Sequence, residues 1–148
     1  MVFESRGPRT GRCSAQHHIA VMYNEGTDVA QDYQKAMEWF LKAADQGQAN
    51  AQHNVGVLYN DGKGVPQECL KAFEWYLKAA DQGHAAAQHN IGTLYQKGQC
   101  GPQNYKRAAE WYLKAAGQGL VNAQFNMGVC AVMGKVFHRT TGEPWSGI

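Results

Sequence analysis

"AQHNVGVLYNDGKGVPQECLKAFEWYLKAADQG", residues 51–83, is the stretch that decides the fold, because close copies of it precede and follow it. Alanine, tryptophan and tyrosine recur in these copies every 36 residues without insertion. The recurring residues are Ala15, Ala51, Ala87 and Ala123; Trp39, Trp75 and Trp111; and Tyr23, Tyr59 and Tyr95. An interval held this strictly identifies a tandem repeat protein. The repeats span residues 15–50, 51–86 and 87–122, with a partial fourth at 123–134.

Each repeat predicts two helices joined by a turn. Ala51, Val55 and Leu58 share one face of a first helix, since they are spaced four and three residues apart. The segment DGKGVP interrupts this pattern with glycine and proline. The segment ECLKAFEWYLKAADQG then predicts a second helix with a stripe of alanine and aromatic residues.

The ends and the polar face of the second helix also repeat. Asp32 and Asn104 are expected to cap its N-terminus. A glycine that can adopt the left-handed conformation is expected to end it. Glutamate and lysine four residues apart predict weak ion pairs on a solvated face. The ending glycines are Gly47, Gly83 and Gly119, and the charge pairs are Glu38/Lys42, Glu74/Lys78 and Glu110/Lys114.

A helical hairpin cannot bury its apolar face alone, so hairpins of this kind stack on one another. The predicted fold is therefore all-α: a right-handed superhelical solenoid of antiparallel helical hairpins, about three and a half repeats long. Residues 1–13 predict a flexible N-terminal arm, residues 14–134 the solenoid, and residues 135–148 an irregular C-terminal tail. The fourth repeat lacks a second helix, so its first helix is expected to be covered by the tail, with Val136, Phe137 and Trp145, or by another copy or a partner. A third possibility is that the chain is a fragment of a longer array.

The pattern A-x3-[VI]-G-x-L-Y-x2-G-x-G-V-P-Q-x4-A-x-E-W-Y-x-K-A-A-x-Q-G resembles the Sel1-like repeat, a relative of the tetratricopeptide repeat. The match is full in residues 51–86, whereas Ile19-Ala20 and Gly101 depart from it in the neighbouring repeats. The resemblance implies a scaffold or adaptor that binds other proteins, often in signalling or protein quality control. Some cysteine-rich, secreted bacterial members are reported to bind or hydrolyse β-lactams.

Composition narrows the classes of partner. A net charge of +2 and a pI near 8.3 do not indicate a nucleic-acid groove. No stretch approaches the roughly 20 apolar residues of a membrane span. The N-terminal sequence MVFESRGPRTGRC has no apolar core of a signal peptide. We therefore expect a cytoplasmic protein, or one of the ER lumen or secreted if the N-terminus is incomplete.

The four cysteines occupy different positions in their repeats, unlike a recurring disulfide framework. Cys69 stands where other repeats have tyrosine, and Cys130 where they have leucine. Both are expected to be small apolar core thiols, with a disulfide or zinc role as the alternative.

Enzyme motifs do not occur in the sequence. The serines, Ser5, Ser14 and Ser146, lie outside G-x-S-x-G and S-x-x-K, and neither HExxH nor Walker A is present. We predict no catalytic residue, no cofactor and no metal site, and a β-lactam activity is not carried over because no nucleophile motif matches.

The recurring histidine of AQHN lies off the packing stripe of the first helix, on a face predicted to line a binding groove. Zinc is disfavoured, because packed helices place such rings too far apart for ligand nitrogens at about 2.0–2.1 Å from one metal. A neutral surface role or packing between repeats remains the alternative. The candidate groove residues are His17, Val21, Asn24, His53, Val57, Asn60, His89, Thr93, Gln96, Phe125 and Val129.

Three functions follow from these observations. The favoured one is a non-enzymatic scaffold that binds a partner protein or peptide on the candidate groove residues, without nucleic acid or membrane. Self-association through the uncapped helix of the fourth repeat would be a further mode. The alternatives are an RNA- or ligand-binding helical repeat, although the groove residues include no lysine or arginine, and a β-lactam-binding or -hydrolysing protein.

Overall fold

The computed structural model describes the backbone of residues 9–141 and the side chains of residues 11–134. Within that range the chain is helical, with no strand, as predicted. None of these helices is long and apolar enough to cross a lipid bilayer. They are α1 (Arg9–Glu25), α2 (Tyr33–Asp45), α3 (Ala49–Asp61), α4 (Cys69–Ala80), α5 (Ala85–Lys97), α6 (Tyr105–Ala116) and α7 (Val121–Thr141).

The chain divides into two compact halves, residues 1–82 and residues 83–148. In the first half, α1 packs on α2, α2 on α3 and α3 on α4. In the second half, α5 packs on α6 and α6 on α7. The odd-numbered helices are the first helices of the repeats and the even-numbered ones the second helices. The prediction of a helical repeat fold is thereby confirmed.

Small residues let the helices of each hairpin approach closely. In every second helix one aromatic side chain is buried between two fully buried alanines, four residues before it and three after it. These sets are Ala36, Phe40 and Ala43 in α2; Ala72, Tyr76 and Ala79 in α4; and Ala108, Tyr112 and Ala115 in α6. The aromatic side chain is therefore a large buried part of the apolar contact between the two helices of a repeat.

The predicted helix ends are confirmed. The carboxylate of Asp32 accepts hydrogen bonds from the backbone N–H groups of Gln34 and Lys35, both at 3.1 Å. The side-chain oxygen of Asn104 accepts one from the N–H of Arg107 at 3.0 Å. After each second helix the chain reverses at a glycine with positive φ, a region that other residues rarely adopt. These are Gly47 (93°), Gly83 (86°) and Gly119 (86°).

The predicted glutamate–lysine pairs are replaced by a different contact. The ammonium groups of Lys42, Lys78 and Lys114 lie over the indole rings three residues earlier, 4.0–4.1 Å from the ring centroids. The half-buried indole offers both a negative face and an apolar surface for the lysine stem, whereas an exposed ion pair contributes little. These rings belong to Trp39, Trp75 and Trp111.

The structure departs from the expected boundaries at both ends. Helix α1 begins at Arg9, so residues 9–13, expected in the flexible arm, are helical. Helix α7 continues to Thr141, so residues 135–141, expected in the irregular tail, are helical too. Neither segment contains a proline, which would interrupt a helix. Residues 1–8 and 142–148, and the side chains of Val136, Phe137 and Trp145, lie outside the described residues.

The cysteines divide into two classes. Cys13 and Cys130 are free and buried. Burial raises the pKa of the Cys130 thiol to about 11, in keeping with the predicted apolar role. Cys69 and Cys100 are each disulfide-bonded. The prediction of a free core thiol is therefore wrong for Cys69, because a position within a repeat does not reveal which sulfur atoms the fold brings together.

Candidate protein-interaction surface

The three repeating histidines lie against the aromatic side chain of their own repeat. The ring centroids of His17 and Phe40 are 5.5 Å apart and those of His53 and Tyr76 are 5.7 Å apart. In the third repeat, the rings of His89 and Tyr112 are 5.2 Å apart. All three histidines are half-buried. The position that sequence reasoning assigned to a groove thus also contributes to packing inside each hairpin.

Two of these histidines also connect consecutive repeats. The side-chain amide of Asn54 donates a hydrogen bond to Nε2 of His17 at 3.0 Å. In the second half, the amide of Asn126 donates in the same way to Nε2 of His89 at 2.9 Å. Because an amide NH₂ group only donates, Nε2 is the acceptor and the ring proton lies on Nδ1. In both pairs, the asparagine of one AQHN-type segment holds the histidine of the preceding one.

The environment favours the neutral imidazole. Burial lowers the pKa of His17, and the charge of the neighbouring His18 lowers it further. Burial also lowers the pKa of His89, although a hydrogen bond with Asn90 opposes this. A neutral ring whose Nε2 already accepts a hydrogen bond has one fewer nitrogen to offer a metal. Among the described residues no cluster of three metal-ligating side chains occurs.

Thr93 and Gln96, both predicted groove residues, bind the hydroxyl group of Tyr112. That hydroxyl donates to Oε1 of Gln96 at 2.7 Å and shares a hydrogen bond with the Thr93 hydroxyl at 3.0 Å. Burial raises the pKa of Tyr112, against the effect of the Thr93 hydrogen bond and with a smaller contribution from Cys130. In this repeat, three candidate groove residues together hold one buried phenol.

The remaining candidate groove residues lie on the same helices with differing exposure. Val21, Asn24, Val57 and Asn60 are half-buried in the first half. In the second half Val129 is half-buried, but Phe125 is 72% exposed. The structure therefore brings the predicted residues together along α1 and α3, and separately along α5 and α7.

Sequence reasoning missed a set of glutamine pairs that tie each first helix to the end of its second helix. Nε2 of Gln82 donates to Oε1 of Gln52 at 2.8 Å, and Gln52 in turn donates to the carbonyl of Ala44 at 3.2 Å. Equivalent pairs are Gln46 with Gln16 at 2.7 Å and Gln118 with Gln88 at 2.8 Å. The sequence could have indicated these pairs, because both glutamines recur with the repeat period.

Sequence reasoning also missed the role of a glycine within the first helix of a repeat. A Cβ atom on Gly56 would lie 2.6 Å from the ring of Tyr76, and one on Gly92 would lie 2.8 Å from the ring of Tyr112. Both distances are shorter than side chains tolerate, so each glycine gives the aromatic ring its space. Gly128 occupies the same position in α7, and a Cβ there would meet no atom of the described residues within 4 Å.

The sequence matches the family described as Sel1 repeat at residues 13–48, 49–84 and 85–120. These spans begin two residues before the repeats as they were delimited from the sequence. No curated protein gives a significant match. Solved structures of three bacterial proteins, however, superpose on the chain.

A Sel1 repeat protein from Oxalobacter formigenes gives a TM-score of 0.75 at 38% identity, over 84% of this chain and 51% of that one. The protective antigen c5321 of uropathogenic Escherichia coli strains, which displays an SLR fold, gives 0.75 at 35% identity, over 88% of this chain and 27% of that one. Cysteine rich protein B of Helicobacter pylori gives 0.61 at 20% identity, over 81% and 97%, a likeness of fold alone. The chain thus spans about half of the first protein and about a quarter of the second.

Proposed function

The chain belongs to the Sel1 repeat family, whose members are generally non-enzymatic protein-interaction scaffolds, and on that premise we propose that it binds a partner protein or peptide. The proposed contact surface is the set of candidate groove residues on the first helices. Family membership is the observation that carries this proposal. The role of adaptor in a signalling complex is part of the same proposal.

The chemistry of the surface supports recognition by polar and apolar contacts. The candidate groove residues include no lysine, arginine, aspartate or glutamate, and burial lowers the pKa values of His17 and His89. Val57 and Asn60 lie one helical turn apart on α3 and are both half-buried. A peptide segment with alternating apolar and amide side chains suits such a face better than a phosphate backbone does, because the candidate groove residues include no lysine or arginine.

A pair of variants tests this surface. Val57→Glu combined with Asn60→Ala changes the character of the α3 face, whereas Leu70→Glu places the same charge on an exposed apolar position of α4. Circular dichroism first checks that both variants fold. With the chain as bait in quantitative affinity purification, the double variant should lose partners that Leu70→Glu retains. Retention of every partner by the double variant would place the binding surface elsewhere.

Salt dependence and a chromogenic β-lactam separate the alternatives. Partner binding through uncharged contacts should persist as the salt concentration rises. An RNA affinity that falls steeply with salt would instead favour a nucleic-acid-binding repeat. Turnover of the β-lactam by the purified chain would overturn the non-enzymatic proposal.

For the location we propose an oxidising compartment, the second of the two expected from the sequence. The disulfide-bonded state of Cys69 and Cys100 supports it, because cytosolic reductants keep most thiols reduced. Alkylation of the protein inside intact cells, followed by mass spectrometry, tests the proposal. Four alkylated cysteines before reduction would favour the cytoplasm.

A further inference from the structure

We draw no further inference here: the strongest candidate, the apolar face of α7 on which Phe125 and Val132 are exposed, carries no proposal because nothing in the described part of the structure shows what covers it.

Discussion

The side-chain amide of Asn54 lies 3.0 Å from Nε2 of His17 and donates to it, joining the first helices of consecutive repeats. Both residues belong to AQHN-type segments, and the same bond recurs between Asn126 and His89. The histidines of the first and third repeats thus have a structural role, because each of these two rings is held from two directions. One side is the aromatic residue of its own repeat, and the other is an asparagine of the next.

The hydrogen bond between His17 and Asn54 should be measurable as a coupling free energy. We expect a double-mutant cycle with His17→Ala and Asn54→Ala to give about 0.5–1.5 kcal/mol, the net value of a typical hydrogen bond. Chemical denaturation provides the four free energies of unfolding. The matched cycle of the exposed His18 with Asn54 should give no coupling. A coupling near zero for His17 and Asn54 would show that the bond contributes nothing to stability.

Stability should fall as the solution becomes mildly acidic. Burial lowers the pKa values of His17, His84 and His89 in the folded chain, whereas in the unfolded chain they are near 6.5. The unfolded chain therefore binds more protons as the pH falls through about 6.5, and the free energy of unfolding decreases until the folded histidines are protonated too. Differential scanning calorimetry across this range measures the change. A melting temperature that rises on acidification there would contradict the lowered pKa values.

Gly56 and Gly128 should respond oppositely to the same substitution. Gly56→Ala places a methyl group against the Tyr76 ring, so we expect a loss of about 1–3 kcal/mol of stability from overpacking, despite the better helix propensity of alanine. A methyl group on Gly128 meets no described atom within 4 Å, so Gly128→Ala should stabilise the chain by about 0.5–1 kcal/mol. Urea denaturation of both variants compares them directly. Equal effects would mean that the ring of Tyr76 does not occupy the space beside Gly56.

The four cysteines should differ in their reaction with alkylating reagents. Unfolded but unreduced protein should expose two thiols, those of Cys13 and Cys130, because Cys69 and Cys100 are disulfide-bonded. In the folded protein Cys130 should react slowly at neutral pH, since burial raises its pKa to about 11 and keeps the thiolate scarce. Mass spectrometry after iodoacetamide treatment counts the modified residues. Rapid modification of Cys130 in the folded chain would contradict its burial.

The sequence alone determined the repeat period, the two helices of each repeat and their ends. These features are local: the apolar spacing of Ala51, Val55 and Leu58 and the cap at Asp32 depend on residues within a few positions of one another. The same helix pattern also occurs in three repeats, so the prediction for each repeat supports the prediction for the others. The fold class follows from this repetition, because a hairpin of this type is stable only when it packs on its neighbours.

Only the tertiary structure decided which partners the repeated side chains contact. The sequence places His17 on a face of α1, but it does not reveal that Asn54, in the next repeat, reaches its Nε2 atom. In the same way it pairs Lys78 with Glu74, whereas the folded chain lays the ammonium group over the ring of Trp75. Such contacts depend on rotamers and on distances of a few ångströms between helices, which spacing along one helix does not determine.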